Sequence, residues 1–352
     1  MRDANRANGW SGGGLTSVPE CPLCGSNDRH SLGVAKDAMQ ASADDWPLWR
    51  CSRCRSAWLD PRPDDASISA AYDFDYMTHR APQTPSREGR MASLIDGYLN
   101  YRFKTKREAA SRLGAVIFSL ILPLRLKLNY FGRHLSPSRG GRLLDVGCGN
   151  GDFVVLAKTM GWAAEGVDPD EAAIKVCRNR GIVVTHGFIE DLPQEQRHLY
   201  WHAITMSHSL EHVVDPQNML KNVFDMLAPG GTLWIGLPNP EAIGARFYGL
   251  DWESYDVPRH LTLPAIDILK KVCLDAGFEL VEARNRGAHT RRLYKRSAEI
   301  ARARAKKGIR GSAVAARLLS IIADLLATIS VRYAEETVIV ARKAYDAPQR
   351  SS

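Results

Sequence analysis

LLDVGCGNGDF, residues 143–153, runs an apolar segment, Leu143 to Val146, into Gly147-x-Gly149-x-Gly151 and on into a helical pattern. Glycines at such a strand-to-helix turn permit left-handed backbone and let a ligand lie against bare main chain. About twenty residues on, a second apolar segment ends in Gly166-Val167-Asp168, where a carboxylate can accept hydrogen bonds from ribose hydroxyls. Outward from this pair, the pattern predicts strands at 142–146, 163–167, 182–186, 202–207, 232–237, 278–284 and 337–342. It predicts helices at 152–160, 170–180, 215–228 and 264–276. Such alternation implies βαβ units and a mostly parallel sheet.

The glycine spacing is G-x-G-x-G rather than the dinucleotide G-x-G-x-x-G, and Asp145 stands just before the first glycine. A carboxylate there repels a pyrophosphate and suits a ligand carrying an ammonium and a sulfonium, which is S-adenosylmethionine. On these residues, segment 140–284 and the final strand resemble the class I S-adenosylmethionine-dependent methyltransferases. The resemblance implies a Rossmann-like seven-stranded α/β sheet. It also implies a loop (Asp145, Gly147, Cys148, Gly149, Gly151) that holds the methionine part, with Asp168 on the ribose. HGFIEDLP (186–193) is similar to the family's adenine-contacting segment, although Phe188 stands where the family often has an acid. Phe188 or Ile189 is expected to line an adenine slot, with Glu190 or Asp191 near the exocyclic amine; a solvated helix cap is the alternative reading for the two acids.

MSHSLEHVVDP (206–216) resembles the LEHV-x-D-P segment of a subgroup that includes quinone-biosynthesis O-methyltransferases. It puts His208, Glu211 and His212 at the end of the fourth strand, beside the expected reaction centre; His208 is taken as a cofactor contact. YDVPRHLTLPAIDILKKVCLDAGFEL (255–280) resembles the Pro-Arg-His segment of relatives. His212 and His260 are both candidate bases, since histidine takes a proton near neutral pH, and Glu211 is expected to orient or assist. A structural role for His212 stays open. Arg259 is a candidate anion clamp, and the aromatics Phe247, Tyr248, Trp252 and Tyr255 are expected to cover the acceptor. The other reading is a loop packed by those aromatics, with Arg259 tied to the chain.

Cys21-x-x-Cys24 and Cys51-x-x-Cys54, with 26 residues between the pairs, can set four thiolates around a structural zinc ion. WLDPRP (58–63) and the stretch Tyr72 to Tyr76 resemble the zinc-ribbon extension before some methyltransferase domains, several of which act on sugars or cell-surface glycans. Seven cysteines, an odd number, and no apolar leader in the first fourteen residues point to a reducing cytoplasm rather than a disulfide framework.

The expected organisation is a tail (1–19), a zinc-binding module (20–79), a linker and helical segment (80–135), a methyltransferase domain (136–344) and a second tail (345–352). Within the helical segment Pro123 interrupts an apolar run. Between the last two strands lies an insertion, 285–336, in which a dense basic run precedes an apolar helix at 312–330. Its polar residues Arg317, Ser320, Asp324 and Thr328 share one stripe. Packing on 113–128 or on a second subunit, docking on an anionic membrane at the inner surface, and RNA binding are all open for it.

The chain has 352 residues, a net charge of +8 and 45% hydrophobic residues, and no run of about 18 uninterrupted apolar residues. This composition excludes a collagen-like, largely disordered or multi-span membrane protein and favours anionic partners. The reading is a transferase that methylates a sugar, glycan or lipid-linked hydroxyl acceptor. The alternatives are an RNA methyltransferase, against which stands the lack of an Asn-Pro-Pro-aromatic or Pro-Cys motif, and a non-catalytic cofactor-binding scaffold.

Overall fold

The computed structural model describes residues 10, 12–39, 44–72, 89–197, 200–304 and 308–345. Most of the expected tails, linker residues 80–88, Tyr76, Lys306 and Lys307 lie outside the described residues. The N-terminal part contains β1 (Leu15–Thr16), β2 (Arg29–Lys36), β3 (Asp45–Cys51), β4 (Ala57–Leu59) and β5 (Arg62–Pro63). Three helices follow, α1 (Arg90–Phe103), α2 (Arg112–Leu120) and α3 (Leu122–Phe131). Pro123 sits at the start of α3, where its missing N–H costs nothing, and α2 and α3 bend by 113° at the break.

The alternating part runs β6 (Arg142–Val146), α4 (Asp152–Thr159), β7 (Ala163–Asp168), α5 (Glu171–Asn179), β8 (Val184–His186), α6 (Gln194–Arg197), β9 (Trp201–Ser207), α7 (Pro216–Met226) and β10 (Leu227–Pro238). It continues with α8 (Ile243–Tyr248), β11 (Thr262–Leu263), α9 (Ile266–Asp275), β12 (Leu280–Arg284), α10 (Thr290–Ala303), α11 (Ala313–Ile329) and β13 (Glu336–Arg342). Seven strands form one sheet in the order β12-β13-β10-β9-β6-β7-β8. The five from β8 to β10 are parallel, and β13 is antiparallel to both its neighbours. The sequence reverses direction between β6 and β9, so the ends of β6, β7 and β9 border the switch point where ligands collect in open α/β sheets. Strands β6, β9 and β10 are apolar almost without alternation, as central strands covered on both faces must be. Asp170 and Asp215 cap α5 and α7 by accepting two backbone N–H bonds each.

A second sheet has the order β11-β4-β3-β2, so a strand that follows the candidate base His260 completes the N-terminal sheet. One hydrophobic cluster joins Trp46 and Leu48 of β3 to Tyr248, Trp252 and Tyr255 and to Tyr294 and Ala298 of α10. This corrects the expected acceptor cover. Trp252 and Tyr255 are buried and Tyr248 fully so, because they fill the joint between the N-terminal sheet and the insertion rather than closing over a substrate.

The insertion packs inward through one face of α11. Ser320 is buried together with Ala316, Ala323 and Ala327, and Asp324 accepts hydrogen bonds from the backbone N–H of His289 and Thr290. The small and polar stripe of α11 therefore faces inward, where short side chains allow close approach to α10. Much of the basic run is also used within the fold. Arg286 is buried on Glu336, Arg304 binds Asp251, and Arg296 pairs with Glu299.

Candidate active site

The glycine loop sits at the end of β6. Gly147, Gly149 and Gly151 have φ of 73°, 52° and 79°, all in the left-handed region that favours glycine. A Cβ added at Gly147 would stand 2.7 Å from Ser209 Cβ, so the loop passes tightly against the turn after β9. Asp168, at the end of β7, accepts from Gly149 N at 2.7 Å and from Asp170 N at 2.9 Å, tying the loop to the second strand. Burial raises its pKa, although these amides pull the other way. Cys148 is buried beneath the loop, and the Cys177 thiol donates to Gly149 O at 3.1 Å.

Asp145 is fully buried. One of its oxygens accepts from Arg133 and from Thr205, while the other has no hydrogen-bond partner among the described residues. Burial raises its pKa and the Arg133 guanidinium opposes that shift. Arg133 also stacks over Phe153, 3.6 Å from the ring centroid. Nothing in the sequence marks Arg133, which follows α3 in the stretch read as a linker and helical segment. Ile189 is buried, in keeping with an apolar slot. Glu190 and Asp191 are exposed; Glu190 accepts from Asn222, and Asp191 accepts from Phe188 N at 2.8 Å as a turn cap. The capping alternative is thus the one observed for Asp191. The glycine cradle and the orphaned buried oxygen of Asp145 fit a compact cationic ligand such as S-adenosylmethionine.

Beyond β9, the turn Leu210–His212 brings the histidines together. The His212 and His260 rings lie 4.8 Å apart, so the two candidate bases form one cluster. His212 Nδ1 is 2.9 Å from Arg259 O and 2.8 Å from the Tyr72 hydroxyl. A carbonyl only accepts, so Nδ1 carries the proton and Nε2 keeps its lone pair. His260 Nδ1 donates likewise to Ser254 O at 2.8 Å. Burial and the neighbouring His212 push the His260 pKa down to about 4, so it is neutral at pH 7. Glu211 is fully buried; burial alone would raise its pKa, but His208 and the nearby histidines hold it below the usual range. Glu211, His212 and His260 offer ligand atoms within 4.8 Å of one another, a donor set that can hold an acceptor hydroxyl or a divalent cation.

His208 sits between two carboxylates, with 44% of its side chain exposed. Its φ is 51°, and its Nδ1 lies 3.3 Å from Glu211 and its Nε2 3.5 Å from Glu336 of β13. Desolvation works against its charge, but the Glu336 and Glu211 carboxylates raise its pKa from 6.5 to about 10. Glu336 is held well below 4.5, burial being outweighed by Arg286, His289 and His208. The His208 contribution to stability is full below about pH 6.5 and is lost as pH rises through about 10; the Glu336 contribution is present above about pH 4.5 and lost in acid. Replacing His208 by Asn, which tolerates left-handed backbone, should flatten the fall of melting temperature between about pH 7 and 10. An unchanged alkaline slope would contradict the ion-pair assignment.

Arg259 is not available as an anion clamp. It is fully buried and forks onto Asp37 at 2.8 and 3.0 Å and onto Asp256 at 2.6 Å, and it donates to Ala71 O. It locks the N-terminal part to the histidine loop. In that part the four thiols converge: Cys21 and Cys54 Sγ are 3.5 Å apart, Cys24 and Cys51 Sγ 3.6 Å, all four within 4.8 Å. Zinc–sulfur bonds of ~2.3 Å place tetrahedral thiolates about 3.8 Å apart, so the set fits zinc and leaves no open coordination position.

Residues 119–283 match the family model described as a methyltransferase domain. That segment, a little under half of the chain, is similar to methyltransferase domains. The ubiquinone biosynthesis O-methyltransferases of Shewanella sp. (strain ANA-3) and Coxiella burnetii (strain Dugway 5J108-111) are 30% and 35% identical over 125 and 126 residues. Each alignment covers 34% of this chain and 52% of the relative, so the chain spans about half the length of the curated relatives it matches. A SAM-dependent methyltransferase structure from Archaeoglobus fulgidus is 20% identical, with 70% of this chain and 98% of that one covered at a TM-score of 0.42. The methyltransferase domain thus holds the glycine loop, Asp168 and the histidine cluster within the matched residues.

Proposed function

We propose that the chain transfers a methyl group from S-adenosylmethionine to a hydroxyl oxygen of a sugar, glycan or lipid-linked acceptor. The work would be done in the cytoplasm or against the inner membrane surface. The observation that carries this reading is the meeting of three strand ends. The left-handed glycine loop on β6 is hydrogen-bonded to Asp168 on β7, and His212 after β9 has the His260 ring packed against it. The names of the O-methyltransferase relatives favour oxygen over nitrogen or carbon as the acceptor atom.

In this reading Asp145, Gly147, Cys148, Gly149, Gly151 and Asp168 hold the donor, and Ile189 lines its adenine end. S-adenosylmethionine, when bound, supplies an electrophilic methyl group on a sulfonium. The protein's part is to align the acceptor oxygen and remove its proton. His212 Nε2 takes the proton, and the resulting imidazolium is stabilised by the buried Glu211 carboxylate. His260, neutral beside it, accepts a hydrogen bond from a neighbouring hydroxyl of the acceptor. Cys21, Cys24, Cys51 and Cys54 hold one structural zinc ion that fixes the N-terminal sheet under the histidine loop.

Incubating cell extract with the protein and methyl-deuterated donor tests this directly. One class of hydroxylated metabolite should gain the mass of a single labelled methyl group, in a form stable to the mild base that cleaves esters. Label confined to RNA, or no transfer by protein that binds the donor, would overturn the acceptor assignment.

A further inference from the structure

The outward face of α11 has no cover among the described residues. Val314, Leu318, Ile321, Ile322, Leu325 and Ile329 are each 50–79% exposed and recur at helical spacing along one stripe. The neighbouring α2–α3 pair adds Leu113, Val116, Leu120, Ile121 and Leu122, all exposed. The two regions adjoin: α11 packs on α3, and a Cβ at Gly287 would stand 2.3 Å from Lys127 N. Single exposed aliphatics are ordinary, but two helices presenting a stripe each are not.

The charge around this face is one-sided. Residues 109–144 contain no Asp or Glu. Residues 300–334 contain one acid, Asp324, which is turned inward onto the start of α10. Arg112 on α2 and Arg317 on α11 are exposed, as is Arg310 in the turn just before α11. A second copy of the chain placed on this face about a two-fold axis would set cations against cations. An anionic lipid surface complements both features, taking aliphatics below the headgroups and arginines among them. No single helix is long and apolar enough to cross a membrane. With 17 residues, α11 is about 25 Å long and has the amphipathic form of a helix lying in the interface plane.

We infer that the α11 face, with the α2–α3 bend, docks the protein on an anionic bilayer surface. The surface is separate from the histidine cluster, and its test needs no catalysis. Full-length protein should co-sediment with phosphatidylcholine vesicles containing phosphatidylglycerol, and bind pure phosphatidylcholine at least about ten-fold more weakly because cations each add several-fold near an anionic surface. The double variant Leu318→Glu/Leu325→Glu, altered only at exposed positions, should lose vesicle binding while its melting temperature and donor affinity stay those of the parent. Sedimentation velocity on the same samples reads the competing occupant. Equal binding to both vesicle types, full binding by the double variant, or no binding together with a dimer that the double variant dissociates would each overturn the inference.

Discussion

Substitution of His212 by Ala should lower turnover by about 10²–10⁴-fold, the usual contribution of a positioned general base, while S-adenosylmethionine affinity stays within a few-fold. The expectation rests on the tautomer. The Arg259 carbonyl and the Tyr72 hydroxyl both lie on Nδ1, which leaves Nε2 as the acceptor beside Glu211 and His260. A base must come within about 2.6–3.2 Å of the acceptor proton's oxygen, and the ring contact with His260 brings the two imidazoles to one place. His260→Ala should therefore cost turnover too, less than His212→Ala, through acceptor positioning. Joint loss of donor binding and turnover in His212→Ala would make His212 structural. Full activity of both variants on the true acceptor would remove the cluster from the chemistry.

Loss of zinc should be the second large effect. Protein prepared without chelator should hold about one zinc per chain, and Cys51→Ser should hold none. Structural zinc sites contribute folding free energy outright, on the order of 10–16 kcal/mol in isolated zinc-finger peptides, so the N-terminal sheet should loosen. Here the consequence reaches the site. That sheet takes β11 from the segment just after His260, and the N-terminal part that it anchors contributes Tyr72 to His212 and Asp37 to the Arg259 fork. Turnover should fall far more than donor affinity, because the glycine loop and Asp168 belong to the other sheet. Metal analysis finding no zinc, or a Cys51→Ser enzyme with parental turnover, would reject this coupling.

The sheet was legible in the sequence because its signals are local. An apolar strand, three glycines and an acid twenty residues on give β6, its loop and β7 to within a residue. The paired cysteines give the thiolate cluster in the same way. What could not be read is what depends on distant partners. Arg133 reaches Thr205 across 72 positions and Arg259 meets Asp37 from 222 positions away, so neither has a spacing to betray it. The aromatics after β10 looked like a cover because apolar loop residues near a strand end often line a ligand. They are consumed instead by Trp46 and Leu48, which the sequence does not place nearby. For α11, hydropathy left packing, a membrane surface and RNA all open, and the small residues Ala316, Ser320, Ala323 and Ala327 decide which face packs inward.

The account stands on the donor site, and calorimetric titration of S-adenosylmethionine into the protein tests it most directly. One saturable site per chain is expected, with Asp168→Ala binding about 10–150-fold more weakly, the loss of charged hydrogen bonds worth about 1.5–3 kcal/mol. No heat of binding in folded, zinc-loaded protein, or an Asp168→Ala affinity equal to the parent's, would contradict it.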